Sequence, residues 1–183
     1  IMRDDQLTPE FIALNPNNKI PAIIDPNGPN GEAHAVFETG AILIYLAEKT
    51  GKFLPAAPAL KSEAIQWLMW QMGGFGPMLG QFGHFYKFAA DKTTDAYAKD
   101  RFTAEAKRVL GVLNTRLEGR DWIVGDEYTI ADMAIWPWIK VIDFYGGDEI
   151  LEIASYPNVT RYLAKIMERP ASQAAVNIPA RDG

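Results

Sequence analysis

Two short stretches carry residue types suited to holding a small charged ligand. The first is Asn18-Lys19-Ile20-Pro21, where a proline opens a β-branched run. Proline cannot donate to a sheet ladder, which confines it to edges and turns. In trans, Pro21 merely starts an edge strand. In cis, the minority state of an X–Pro bond, the chain turns sharply and frees the N–H and C=O of Ile20 to pair, antiparallel, with a peptide-like ligand. The second stretch is Glu38-Thr39-Gly40. A helix starting there presents open backbone N–H groups and its positive dipole end, both of which favour a carboxylate or phosphate. Glu38 beside them suits an ammonium, so the pair fits the zwitterionic end of an amino acid. Ordinary capping by an acidic residue and a threonine explains the same residues without a ligand.

Other chemistries find little support. The chain has no cysteine, so it offers no disulfide, no thiolate nucleophile and no Cys-ligated metal. His34 and His84 are its only histidines, and neither has a partner at metal-ligand spacing, so no metal is expected. Ser62, Ser155 and Ser172 lie in no Gly-x-Ser-x-Gly setting. Gly73-Gly74-Phe75-Gly76-Pro77 follows a Trp67–Met72 stripe and reads as a helix break, giving close helix packing or a cleft wall.

The elements that position these residues are legible from punctuation and period. Thr8-Pro9-Glu10-Phe11-Ile12 reads as a helix entry, with Thr8 as cap and Pro9 at the first helical position. Asn15-Pro16 ends it. Lys19 to Asp25 is a strand beginning near the proline, Asp25 to Gly31 a dense turn, and Ala33 to Phe37 a second strand closing a hairpin. From Thr39 the apolar period becomes helical through Ala41, Ile42, Tyr45 and Leu46, until Lys49-Thr50-Gly51 closes it. Phe53 to Pro58 is a Pro/Ala-rich connector, and everything after Leu60 reads helical. One stripe runs through Ile65, Leu68, Met69 and Met72. A second runs from Ala98 through Phe102, Ala106, Val109, Leu110 and Leu113 to Leu117, and a third through Val159, Tyr162, Leu163 and Ile166. Ile130 to Ile142 is nearly all apolar and should be buried. Thr129-Ile130-Ala131-Asp132 ahead of it is a capping-box pattern, and Pro137 should kink it. Trp136 and Trp138 read as core. The expected fold class is α/β plus all-α, with domains over 1–54 and 60–183.

Bulk properties narrow the function further. At 183 residues, 48% hydrophobic and 22% charged, the chain is an ordinary globular one able to bury a sizeable core. A net charge of −5 leaves no general basic surface for phosphates, which argues against nucleic acid. The longest apolar runs, such as Ala131 to Trp138, fall short of the roughly 20 residues of a membrane span. The first residues show no signal-peptide pattern. A cytoplasmic protein without a membrane partner is expected.

Taken in order, Asn15-Pro16-Asn17-Asn18-Lys19-Ile20-Pro21-Ala22-Ile23, then Phe37-Glu38-Thr39-Gly40-Ala41-Ile42-Leu43-Ile44-Tyr45-Leu46, resemble the ligand site of cytosolic glutathione transferases. Tyr128-Thr129-Ile130-Ala131-Asp132 resembles that family's helical-domain capping box. The stretch from Trp67 to Met78 is similar to the bacterial Nu-class group and its Ure2p-like relatives, among which are disulfide-bond oxidoreductases. The resemblance implies a thioredoxin-like N-terminal domain followed by a helical C-terminal domain. It implies a cis Pro21, with Ile20 pairing with the cysteinyl part of glutathione. Glu38 and Thr39 would hold the γ-glutamyl end, and Asn18 and Lys19 would lie near the glycyl end. Gln6 matches a glutathione-contacting glutamine, and Arg101 an arginine that reaches the site from the partner subunit of a homodimer. The family's first strand, helix and second strand normally precede the point where this sequence begins, and its catalytic residue follows that first strand. That residue is therefore expected upstream of Ile1, and the thioredoxin-like part is expected to be truncated. The implied function is a glutathione-dependent transferase or disulfide-bond reductase acting on a small electrophile or disulfide, with glutathione as cosubstrate. The alternative is a non-catalytic glutathione-binding or regulatory protein of the same fold.

Overall fold

Thr8 does cap the first helix: its side-chain oxygen accepts from Phe11 N–H at 3.3 Å, with Pro9 at the first helical position. In the computed structural model, which describes residues 4–92 and 94–178, this helix, α1, runs Pro9–Leu14 after a 3-10 turn at Asp5–Leu7. Strands β1, Ala22–Asp25, and β2, His34–Phe37, pair antiparallel from Ala22 opposite Phe37 to Asp25 opposite His34. The turn between them needs a glycine, because a Cβ on Gly28 would meet the Cβ of His34 at 2.5 Å and the carbonyl of Glu32 at 2.7 Å. Helix α2 spans Thr39–Thr50 and ends on Gly51 at φ 66°, a left-handed cap that glycine adopts without strain. Its buried residues are Gly40, Ile42 and Ala47. Of the expected stripe, Ile42 is buried and Tyr45 half-buried, whereas Ala41 and Leu46 are exposed.

These elements form one of two compact units, Ile1–Leu54; the other is Pro55–Gly183. The second unit is helical: α3 Pro58–Trp70, α4 Gly76–Gly83, α5 Ala96–Arg116, α6 Ile130–Tyr145, α7 Pro157–Met167 and α8 Pro170–Ala175. Here the structure corrects the sequence reading at the glycines. Gln71–Phe75 is a π-helical segment that carries α3 into α4 without a break. Close packing falls on Gly76 and Gly83, where a Cβ would come within 2.9 Å of the Trp138 ring and 2.4 Å of the Tyr145 ring. Gly73 and Gly74 have open space. Met69 is exposed, and the buried face of α3 is Ala64 and Leu68.

The core of this unit is α6 wrapped by its neighbours, and its start is fixed as expected. Asp132, fully buried, accepts from Thr129 N–H at 2.8 Å and Thr129 Oγ1 at 3.1 Å. It also accepts from Ile123 N–H at 3.0 Å and Tyr162 Oη at 2.9 Å. Thr129 Oγ1 accepts in turn from Ala131 N–H at 3.2 Å. Burial raises the carboxyl's pKa despite these donors.

Candidate functional site

The antiparallel register places the two sequence stretches together. Because Ala22 pairs with Phe37, the residues just before β1 and just after β2 must meet at one end of the hairpin. Pro21 and Glu38 are those residues. A cleft of about 280 Å³ opens there, lined by Asn15, Asn17, Lys19, Ile20 and Pro21 on one side and Glu38 and Thr39 on the other. That lies just below the usual range for ligand pockets, about 300–1,000 Å³. It suits an extended ligand held along one side and open to water on the other.

The first wall is a tight turn following α1. Asn15 closes the helix by donating its backbone N–H to Phe11 O at 2.8 Å. Its own carbonyl accepts from Asn18 N–H at 3.1 Å, and its side chain bonds Asn17 N–H and Lys19 O. Asn18 takes a left-handed conformation at φ 55°, which asparagine tolerates well. The Ile20–Pro21 peptide is cis, as the resemblance implied. Ile20 is 58% exposed.

The second wall is the start of α2. Its first helical bond runs from Ile42 N–H to Glu38 O at 2.9 Å, which leaves the amides of Thr39, Gly40 and Ala41 without an intrahelical acceptor. Glu38 occupies the cap position but makes no side-chain cap bond. The capping explanation of these residues therefore does not hold: the carboxylate is not spent on its own helix. Glu38 also has φ 69° and ψ 122°, a region that a residue with a side chain enters at a cost of about 1–3 kcal/mol. Strained conformations of this kind cluster at active sites and ligand clamps.

Lys49, in the last turn of α2, holds Asp25 at the end of β1 and also donates to Asn27 O at 2.6 Å; Tyr45 Oη donates to Asp25 Oδ2 at 2.7 Å. Lys49 first, then Tyr45, hold the Asp25 carboxyl down to about 2. This cluster ties the helix to the hairpin from the far end, and so fixes where the N-terminus of α2 faces.

Of the residues expected at the site, the structure gathers Lys19, Ile20, Pro21, Glu38 and Thr39 into the cleft. Asn18 is not among the lining residues; its Oδ1 is buried without a hydrogen-bond partner. Gln6 lies on the 3-10 turn ahead of α1, also outside the lining, and its Oε1 is likewise buried and unpartnered. Arg101 is exposed on α5, in the second unit. Sequence reasoning left out Asn15 and Asn17. The signal for Asn15 was available: a polar residue ending a helix, four residues before the peptide unit that matters. Among the described residues no group of His, Asp or Glu side chains is arranged to hold a metal.

Two family models match the chain: the glutathione S-transferase N-terminal domain over residues 2–48 and the glutathione S-transferase C-terminal domain over residues 71–170. The chain belongs to the glutathione S-transferase family. Its fold is accordingly that family's, a thioredoxin-like N-terminal part followed by a helical C-terminal domain. Among relatives of this transferase-family chain is the disulfide-bond oxidoreductase YfcG of Escherichia coli K12. It is 45% identical over 172 residues, covering 93% of this chain and 77% of that one. Among solved structures, a glutathione transferase from Burkholderia graminis with two glutathione molecules bound per subunit is 56% identical at a TM-score of 0.95, covering 98% and 75% of the two chains. One from Pseudomonas putida with a glutathione disulfide bound per subunit is 50% identical at a TM-score of 0.94, covering 97% and 77%.

Proposed function

We propose that this chain binds glutathione in the cleft between Ile20-Pro21 and the N-terminus of α2, and serves a glutathione-dependent transferase or disulfide-bond reductase. The observation that carries the reading is Glu38, a strained acidic residue at the open amino end of a helix, with no cap bond. The γ-glutamyl end of glutathione carries both an ammonium and a carboxylate. Glu38 meets the first, and the open amides of Thr39 and its successors meet the second. The Ile20 backbone pairs with the cysteinyl part, and Lys19 and Asn18 supply positive charge and polar groups near the glycyl carboxylate. Gln6, and Arg101 from the partner subunit of a cytoplasmic homodimer, complete the set. The relatives that carry glutathione or glutathione disulfide support the ligand, and YfcG supports the reaction.

The chemistry belongs to the bound thiol, since the chain has no cysteine. Its thiolate attacks an electrophilic carbon, displacing a leaving group, or attacks one sulfur of a disulfide. In the second case a mixed disulfide of glutathione and one half of the substrate forms as the other half leaves as a thiolate. A second glutathione thiolate then attacks the mixed disulfide, giving glutathione disulfide and the remaining thiol. The cleft residues bind and orient the peptide; holding the reacting sulfur in one place is their contribution to rate.

Calorimetry with reduced glutathione, beside an assay of disulfide reduction, tests this. The wild type binds and turns over, whereas Glu38→Ala stays folded by circular dichroism and loses binding about tenfold or more, as removal of one charged hydrogen-bonding partner implies. Binding without turnover keeps the ligand reading and removes the transferase or reductase activity from this chain. Unchanged affinity in Glu38→Ala removes the cleft from consideration.

A further inference from the structure

The turn facing α2 is built around one buried amide, and we propose that Asn15 is a positioning residue that aims the N–H of Ile20 at the ligand, an inference resting on the glutathione reading of the cleft. Asn15 is 1% exposed although it is polar and lies in a loop. All of its polar groups are engaged within ten residues of chain. The backbone N–H goes to Phe11 and the carbonyl to Asn18. Side-chain Oδ1 accepts from Asn17 N–H at 2.9 Å, and Nδ2 donates to Lys19 O at 2.7 Å.

The last of these bonds decides direction. The Lys19–Ile20 peptide is trans, the cis bond being the next one along. In a planar trans peptide the C=O and the N–H point to opposite sides. The Lys19 carbonyl is held inward by a buried donor, so the N–H of Ile20, in the same plane, points outward on the side where Lys19 and Ile20 line the cleft. Without the Nδ2 donor, nothing else among the described hydrogen bonds holds that carbonyl, and the peptide plane is free to rotate. Only a side chain with both an acceptor and a donor on one carbon can close the turn at Asn17 and fix the plane at Lys19 together. Aspartate keeps the first and sets an oxygen against the Lys19 carbonyl. Serine is too short to do both.

The test is amide NMR of the full ¹⁵N-labelled chain titrated with reduced glutathione. In the wild type the Ile20 and Thr39 amides both shift. In Asn15→Asp and Asn15→Ser, Thr39 still shifts, but at a glutathione concentration higher by about tenfold or more, the loss of one directed hydrogen bond, and Ile20 no longer responds. A purely structural role for Asn15 moves both amides together. The proposal is overturned if both variants bind within about twofold of wild type with the Ile20 response intact. It is overturned equally if the wild-type Ile20 amide stays still while Thr39 moves, a result that needs no variant to fold. Silence at both amides in the wild type instead removes the glutathione reading itself.

Discussion

Glu38 shows how a single residue can be set against its own backbone. The conformation at φ 69° costs about 1–3 kcal/mol for a side-chain-bearing residue and less for glycine, which has no Cβ to clash. Glu38→Gly should therefore raise the unfolding free energy by about 1 kcal/mol after the extra chain entropy of glycine is subtracted, while glutathione affinity falls. Thermal unfolding and calorimetry on the same preparation check both signs. A variant that loses stability and binding together would show that the carboxylate serves the fold. At this cleft the residue types alone left a trans edge proline and an ordinary acidic cap open; it was the family resemblance that pointed to a cis Pro21 and to Glu38 and Thr39 as ligand holders. Asn15 was not legible in sequence, because its role depends on burial and on which carbonyl lies in reach. Asn18 and Gln6 were named from resemblance, and their buried unpartnered oxygens are facts that no spacing rule anticipates.

At the scale of elements, α2 is held at both ends, by the hairpin register at its start and by the Asp25–Lys49–Tyr45 cluster at its end. The depressed Asp25 pKa gives a sign to the pH dependence. Its folded value, about 2, lies below the 3.8 of a free aspartate side chain. The carboxylate thus contributes stability that is present above the unfolded pKa and lost as pH falls through the folded one. Asp25→Asn should be less stable than wild type near neutrality, and the gap should close between about pH 4 and pH 2, as read by urea midpoints across that range. Glycines make a second contrast. Gly76→Ala and Gly83→Ala force a methyl into the Trp138 and Tyr145 rings and should cost about 1–3 kcal/mol by overpacking. Gly73→Ala, in a helical stretch with open space around it, should gain about 0.5–1 kcal/mol. Both follow from denaturant midpoints. The sequence reading saw the glycine cluster and expected a break, because glycine lowers helix propensity wherever it stands. It also expected close helix packing, which holds at Gly76 against Trp138; the chain absorbs Gly73 and Gly74 in a π turn, and the second tight glycine, Gly83, lies outside the cluster. Hydrophobic period served far better on α5, a long helix whose buried face from Ala106 to Leu113 repeats often enough to fix the phase, and on α6 the nearly unbroken apolar run from Ile130 to Ile142 served by its length alone.

Within the described residues the buried apolar side chains are divided very unevenly. Among the described residues before position 55, the buried hydrophobic ones are Ile42 and Ala47, whereas the helical unit buries full side chains such as Phe75, Phe82, Leu110 and Ile135. On the hairpin, Ile24 is 55% and Phe37 37% exposed. Local stability follows buried apolar contact, so in a chain of these 183 residues the Ile1–Leu54 unit should open well before the helical unit does. The ligand cleft lies wholly in that weaker unit. Glutathione at about a hundred times its dissociation constant stabilises the state that binds it by about 2.7 kcal/mol, and that free energy must appear where the opening is cheapest. Hydrogen exchange followed by mass spectrometry should show amides of residues 15–25 and 34–50 exchanging fastest in the free chain and slowing about a hundredfold with glutathione. Amides of 130–145, anchored by Asp132 and Tyr162, should not change. Equal slowing in both regions would mean that the two units open as one, and that the thin core around Ile42 borrows its stability from the helices.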